Sequence, residues 1–351
     1  MAGVLLLVLK LTSLPSLMFK CSEIGGIISI VIISLFNIGF LALLVWLKKK
    51  FPKKSFYTIF CSFFGKILTK ILYFLLFLFF IAKLLALVDD GFGFIRDVAD
   101  EEFTFFNFII CFFPVIIALS YSGIRNMGRT LEFFFPFILV GLFVAIIFSF
   151  APINFFGIGS FDRINLSCIT NILTTLSFWN GDLFAILIFI ERVDLNKGKI
   201  RHLFSPIILI SIFLVVGYCM YYSLYQETAS LHANMIFDIV EYSISTSNGW
   251  HMDIFAIIVY MVSLFLQGGL FMYSAVKSAE RVFDFHNQHI IYTAIIVLIS
   301  LIQFLYLNDY LKYVIFAQNF LWPFSLALLV LVPILLFLAI TFKRSKNARN
   351  N

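Results

Sequence analysis

The sequence predicts an all-α integral membrane protein that crosses the bilayer ten times. Hydrophobic residues make up 62% of the 351 residues and charged residues only 13%. Soluble domains have about a quarter of their residues charged. The mean hydropathy of +1.03 is correspondingly high. Apolar runs of the length needed to cross a hydrocarbon core, about 20 residues, recur between polar segments along the chain.

The spans are assigned from these runs and from the charged or helix-breaking residues between them. An interfacial amphipathic segment is expected at residues 55–65, an acidic loop after residue 88 and a small surface helix at residues 234–243. Residues 1–351 are treated as one transmembrane domain with a basic tail at 343–351. The predicted spans are residues 2–18, 25–47, 66–88, 103–122, 131–150, 166–190, 203–225, 252–276, 289–307 and 321–342.

Lysine and arginine set the expected orientation, because cytoplasmic loops are enriched in both. With both termini in the cytoplasm, 19 of the 25 basic residues fall in or beside inner loops. This distribution is consistent with an even number of spans. The net charge of +6 is therefore interpreted as a topology signal, assisted by anionic lipid, and not as a sign of nucleic-acid binding.

The sixth span carries polar residues where the bilayer centre is expected. An ionised carboxylate there costs about 2.5–3.5 kcal/mol, and irregular backbone is tolerated only where it faces protein or a water-filled cavity. We interpret this stretch as an unwound helix that lines a small-molecule site, with Tyr121 as a further wall. Close packing of small residues against a neighbour is the alternative. The candidate contacts are Ser177, Phe178, Trp179, Asn180, Gly181 and Asp182.

The first span is also interrupted, and four of its residues are further candidate contacts: Thr12, Ser13, Leu14 and Pro15. With five spans in each half, the first and sixth spans are equivalent, and the second half is inverted because five is odd. Paired broken helices in an inverted repeat indicate a transporter-type site near the midplane. Half-helix N-termini there suit a carboxylate such as that of an amino acid. Alternatively, Pro15 only kinks the span.

Ionisable and amide side chains in other spans are candidates for ion pairing or coupling. Lys83 in the third span is expected either to face the interior towards Asp182 or to extend to the outer surface. Lys10 is an alternative partner for Asp182. Gln267 precedes two glycines in the eighth span, which indicate close helix packing, an approach to the first span or a bend at a cation site.

No enzymatic motif is evident in the sequence. The five cysteines and five histidines are dispersed, without a CxxC pair or a metal-ligand cluster. A glycine-rich phosphate loop and a nucleophile with an ordered histidine and acid are also missing. We therefore expect no catalytic residue, no metal and no cofactor.

Several short motifs follow one another in a fixed order along the chain. They are Thr-Ser-Leu-Pro at 12–15, Lys-Phe-Pro-Lys-Lys at 50–54, Gly-Lys-Ile-Leu at 65–68, Gly-Ile-Arg at 123–125, Arg-Thr-Leu-Glu at 129–132, Phe-Pro-Phe at 135–137, Ser-Phe at 177–178 with Asp182, and Tyr-Ser-Ala-Val-Lys at 273–277. With these motifs the chain resembles the B subunits of spore germination nutrient receptors. These form the spore permease family of the amino acid/polyamine/organocation superfamily. The family commonly has Glu where this chain has Asp182.

The resemblance implies ten helices in a five-plus-five inverted repeat of the LeuT type, with helices one and six broken. It also implies a permease-like germinant receptor subunit in the cell membrane or spore inner membrane. Such a subunit senses a small nutrient such as an amino acid and assembles with receptor A and C subunits. A proton- or sodium-coupled amino acid permease is the alternative function. A scaffold with a degenerate site is a third, because the first span is short.

Overall fold

The computed structural model describes residues 23–51, 54–98, 102–148, 166–189, 197–225, 252–285, 287–306 and 315–348, with single residues 228 and 238. Within these ranges the chain is helical apart from short turns and contains no strand. Among the described residues, eight helical stretches are long and apolar enough to cross a membrane, and a shorter apolar helix covers Phe105–Tyr121. The protein is therefore a multi-pass helical membrane protein.

Ten helices are numbered in chain order within the described ranges. They are α1 Glu23–Lys50, α2 Phe56–Val98, α3 Phe105–Tyr121, α4 Gly123–Phe148, α5 Leu166–Asn180, α6 Phe184–Phe189, α7 Lys197–Tyr225, α8 Met252–Phe283, α9 Gln288–Tyr306 and α10 Trp322–Ala348. A 3₁₀ turn, Gly181–Leu183, joins α5 to α6, and a π-helical turn, Ala317–Leu321, precedes α10.

The all-α membrane prediction is confirmed for the described residues. The second to tenth predicted spans each coincide with a described helix, or with α5 and α6 together for the sixth. The first span and the predicted surface helix at 234–243 lie outside the described residues, apart from Asp238. The count of ten spans and the inverted repeat therefore stay predictions.

Two loop predictions were wrong. The acidic loop was expected to begin directly after residue 88, but α2 continues to Val98 and carries Asp89 and Asp90 on helical backbone. Gln303 of α9 donates to Asp89 Oδ1 at 3.2 Å, which gives this carboxylate a partner within the bundle. The predicted spans 103–122 and 131–150 left residues 123–130 as the connection between them, but these residues form the first turns of α4.

The centre of the bundle is built around α8, which packs along α2 and also contacts α3 and α4. The Gly268–Gly269 pair lies on the α3 side of α8. A Cβ atom at Gly268 would lie 2.9 Å from Ile116, and one at Gly269 would lie 3.0 Å from Leu119. The glycines therefore allow α8 and α3 to approach closely, as expected for small residues at helix contacts.

The long helix α2 is bent at Gly65. This residue has φ 81° and ψ 168°, a backbone conformation that is essentially restricted to glycine. The bend brings the ring of Tyr57 to 5.2 Å from that of Tyr73 in an edge-to-face contact. The predicted segment at 55–65 is thus a separate helical piece that packs back on the span following it.

Candidate binding site at a buried ion pair

The interruption in the sixth span is a single 3₁₀ turn. Asn180 and Phe184, which flank Gly181–Leu183, keep right-handed helical backbone angles. The sixth span is interrupted as predicted, but the prediction that it unwinds was wrong. The helix tightens for one turn and then continues. Such a turn inside a helix often marks a hinge. A Cβ atom at Gly181 would clash with Phe79 Cζ, so the glycine lets α2 approach the turn closely.

The turn carries Asp182 into contact with a lysine of α2. Lys83 Nζ lies 2.7 Å from Asp182 Oδ1, and both side chains are fully buried, with 0% exposure. Lys83 therefore faces the interior towards Asp182 and does not extend to the outer surface. Removing one member of a buried pair typically costs about 3–5 kcal/mol, because the other charge is left buried and uncompensated. The two charges are therefore strongly interdependent.

Aromatic and amide groups complete the surroundings of the pair. The ammonium of Lys83 lies 4.0 Å from the ring centre of Phe178 and 5.8 Å from that of Phe79. A desolvated cation over an aromatic face gains about 2 kcal/mol. Gln267 of α8 donates through Nε2 to Asp182 Oδ2 at 3.3 Å. Three elements, α2, the 3₁₀ turn and α8, thus converge on one enclosed pair of charges.

A second set of polar contacts ties the end of α5 to its neighbours. Asn180 accepts a hydrogen bond at Oδ1 from Asn37 of α1 at 2.7 Å, and its amide donates to the Leu176 carbonyl at 2.8 Å. The latter bond caps a carbonyl near the point where the helical hydrogen-bond pattern changes. The hydroxyls of Ser177 and Ser325 of α10 lie 2.9 Å apart. The turn is therefore held on two sides by side-chain hydrogen bonds.

The sequence prediction did not include Asn37 and Ser325. Each is a polar residue inside an apolar helix, which is the signal that could have identified them. Tyr121 was expected to wall the site, but its side chain is 54% exposed and its ring lies near that of His289, so this prediction was wrong.

The remaining candidates are not described by the structure. Trp179 lies in α5, but the position of its side chain is not among the described features. Lys10, Thr12, Ser13, Leu14 and Pro15 also lie outside the described residues.

The arrangement can recognise a small molecule that carries charge. An ammonium group and a carboxylate lie side by side in an apolar surrounding, where electrostatic interactions are stronger than in water. In this conformation the neighbouring side chains enclose the pair completely. A ligand could therefore reach either charge only after the surrounding helices have moved apart.

A bundle of apolar helices with buried ionisable residues at an interrupted span defines a permease-like membrane protein. Ionisable groups inside a membrane mark ligand, ion or proton pathways by default. The family model for spore germination proteins, named spore permease, matches residues 5–310. The chain belongs to the spore permease family of spore germination proteins, which confirms the resemblance found from the motifs. A comparison with curated proteins finds no match.

Proposed function

We propose that this protein is a permease-like germinant receptor subunit that binds a small nutrient, such as an amino acid, next to Lys83 and Asp182. The observation that carries the proposal is the fully buried ion pair at the 3₁₀ turn of a membrane span. A buried pair contributes little stability compared with well-packed apolar residues. A functional role explains its presence in the bundle better than a purely structural one.

The bound amino acid would replace the contact between the two side chains. Its carboxylate would pair with Lys83 and its ammonium with Asp182, so that no buried charge loses a partner. The ring of Phe178 and the amide of Gln267 would contact the same ligand. The 3₁₀ turn would act as the hinge by which the helices open, and ligand binding would favour one of two bundle conformations.

The remaining features follow the family. The fold would be a five-plus-five inverted repeat of ten helices, in which residues 12–15 of the first span complete the site and Lys10 lies near it. Both termini would be cytoplasmic, in the cell membrane or spore inner membrane. The conformational shift would pass to germination receptor A and C subunits. The role would be binding and signalling, without catalysis, metal or cofactor.

A ligand screen with a charge-neutral variant tests this function. Purified protein would be screened with the common L-amino acids by thermal shift, since a ligand that binds only the native state stabilises it by mass action. The double variant K83M/D182N removes both charges, so neither is left buried alone. We expect at least one amino acid to raise the unfolding temperature of the wild type but not that of K83M/D182N.

The matched control is R125M/E132Q, which also removes one charge of each sign, but from exposed positions of α4. This control should respond to the ligand as the wild type does. The proposed site would be rejected if K83M/D182N folded and every amino acid that stabilised the wild type stabilised this variant equally.

A coupled amino acid permease is the second candidate, and the position of Asp90 favours it. Asp90 follows Lys83 by seven residues, so both lie on one face of α2, about 10 Å apart along its axis. A series of ionisable groups inside a membrane is typical of proton pathways. Uptake of the same amino acid into proteoliposomes, driven by a pH or sodium gradient, would identify a permease. Binding without uptake would favour the receptor.

A further inference from the structure

A polar cavity of about 340 Å³ lies where α8 ends and α9 begins. Ile188 of α6 and Gln288 of α9 contribute to its wall together with residues of α2 and α8. Ile188 follows Asp182 by six residues, about 9 Å along a helix axis. The cavity is therefore separate from the ion pair. Its volume falls within the range of small-molecule sites, roughly 300–1,000 Å³.

One face of α8 supplies charges of both signs to this cavity. Tyr273, Lys277, Glu280 and Arg281 are spaced at i, i+4, i+7 and i+8, so their side chains share one helical face. Lys277 Nζ lies 2.7 and 2.9 Å from the two oxygens of Glu280, and Gln288 donates to Glu280 Oε1 at 2.8 Å. Cationic and anionic groups are thus interleaved along a single wall.

A second carboxylate is fixed by the backbone immediately after α8. Asp284 has φ 55°, the left-handed conformation that aspartate tolerates better than most residues. Its Oδ2 accepts a hydrogen bond from Lys70 of α2 at 2.6 Å. The end of α8 is thereby attached to α2, and the carboxylate is positioned at the cavity.

Aromatic side chains line the cavity beside these charges. The bend at Gly65 places Tyr57 against Tyr73, and both rings line the cavity. The guanidinium carbon of Arg281 lies 5.1 Å from the ring centre of Tyr57. An aromatic contact of this kind engages the face of a guanidinium, whereas its N–H donors lie at its edge, in the geometry that suits a carboxylate.

We propose that this cavity binds a free amino acid with a large apolar or aromatic side chain, at a site separate from that of Asp182. The ligand carboxylate pairs with Arg281 and Lys277, and its ammonium pairs with Glu280 and Asp284. The side chain of the ligand packs against Tyr57 and Tyr73. A simple anion would meet two carboxylates and a simple amine would meet two cations, whereas an amino acid matches both signs.

Direct binding measurements with three related compounds test the proposal. L-Phenylalanine serves as the probe, phenylpropionate lacks its ammonium group, and phenethylamine lacks its carboxylate. Isothermal titration of the purified protein should detect L-phenylalanine binding at millimolar concentration or below. Each analogue should bind about tenfold more weakly or worse, because one charge-assisted interaction is lost. Absence of L-phenylalanine binding, or equal binding of an analogue, would overturn the proposal.

Variants then assign the binding to this cavity. Arg281→Gln and Glu280→Gln should each weaken L-phenylalanine binding by about tenfold, whereas the matched exposed variants Arg125→Gln and Glu132→Gln should leave it unchanged. The K83M/D182N variant separates this site from the receptor site. Binding that survives in K83M/D182N but is lost in Arg281→Gln supports the proposal. Binding that is lost in K83M/D182N and survives in Arg281→Gln contradicts it.

Discussion

The carboxylate of Asp182 has a different partner at each oxygen, Lys83 at Oδ1 and Gln267 at Oδ2. Both partners come from helices that are distant from Asp182 in sequence. The charged and amide groups contact one another among fully buried side chains. The stability of this part of the bundle therefore depends on whether charges are removed singly or together.

We expect Asp182→Asn alone to destabilise the protein by about 3–5 kcal/mol, because Lys83 is left buried without its counter-ion. The double variant K83M/D182N should recover most of this loss, because it removes both charges. Thermal unfolding in detergent measures both effects. As a control, Asp284→Asn removes the exposed partner of Lys70 and should change the unfolding temperature little. Similar effects of Asp182→Asn and Asp284→Asn would contradict this expectation.

The sequence allowed only some of these residues to be predicted. Asp182 and Lys83 stand out because a charge inside an apolar run is costly, so each must find a partner or reach the surface. Identifying Lys83 as a partner of Asp182 required knowledge of how α2 packs against the 3₁₀ turn. The bond from Asn37 to Asn180 joins residues on different helices, and no local pattern indicates such pairing. The prediction for Tyr121 failed because the sequence does not show which way its side chain faces in the packed bundle.

At the scale of elements, the bend in α2 depends on the backbone conformation of a single residue, Gly65. Gly65→Ala should destabilise the protein by about 1–3 kcal/mol, because its φ and ψ angles are strained for any residue with a Cβ atom. Gly93→Ala is the matched control in the same helix, where an added Cβ would meet nothing within 4 Å. Comparison of the two unfolding temperatures measures the difference. Equal stability of the two variants would show that the bend is unstrained.

The positions of the helices followed from hydropathy, but some of their ends did not. The apolar runs predicted the second to tenth spans because each must bury its backbone hydrogen bonds in lipid. The continuation of α2 past Asp89 depends on Gln303, which belongs to a helix far along the chain. The compact 3₁₀ turn at Gly181 likewise depends on Phe79 and on the capping bond of Asn180.

At the scale of the whole molecule, the two ends of α2 provide a test of topology. The part of α2 after Gly65 is about 50 Å long, which exceeds the hydrocarbon thickness of about 30 Å, so its ends lie on opposite sides. In intact cells, a membrane-impermeant maleimide should label Glu102→Cys but not Lys54→Cys, with the unsubstituted protein as background. Both should be labelled after permeabilisation. The reverse labelling would invert the proposed orientation.

The pairing of Lys83 with Asp182 also has a consequence for biosynthesis. Lys83 leaves the ribosome long before its counter-ion has been translated, so the nascent α2 enters the bilayer with a lone ammonium. A lysine at the helix centre opposes insertion by about 2.5–3.5 kcal/mol, and each Leu, Ile, Phe or Val favours it by about 0.3–0.6 kcal/mol. The most apolar 18-residue window of Phe56–Arg96 has a mean hydropathy of 2.7, which offsets that cost. The high hydrophobicity of α2 therefore allows the translocon to release this helix into the bilayer before Asp182 has been synthesised.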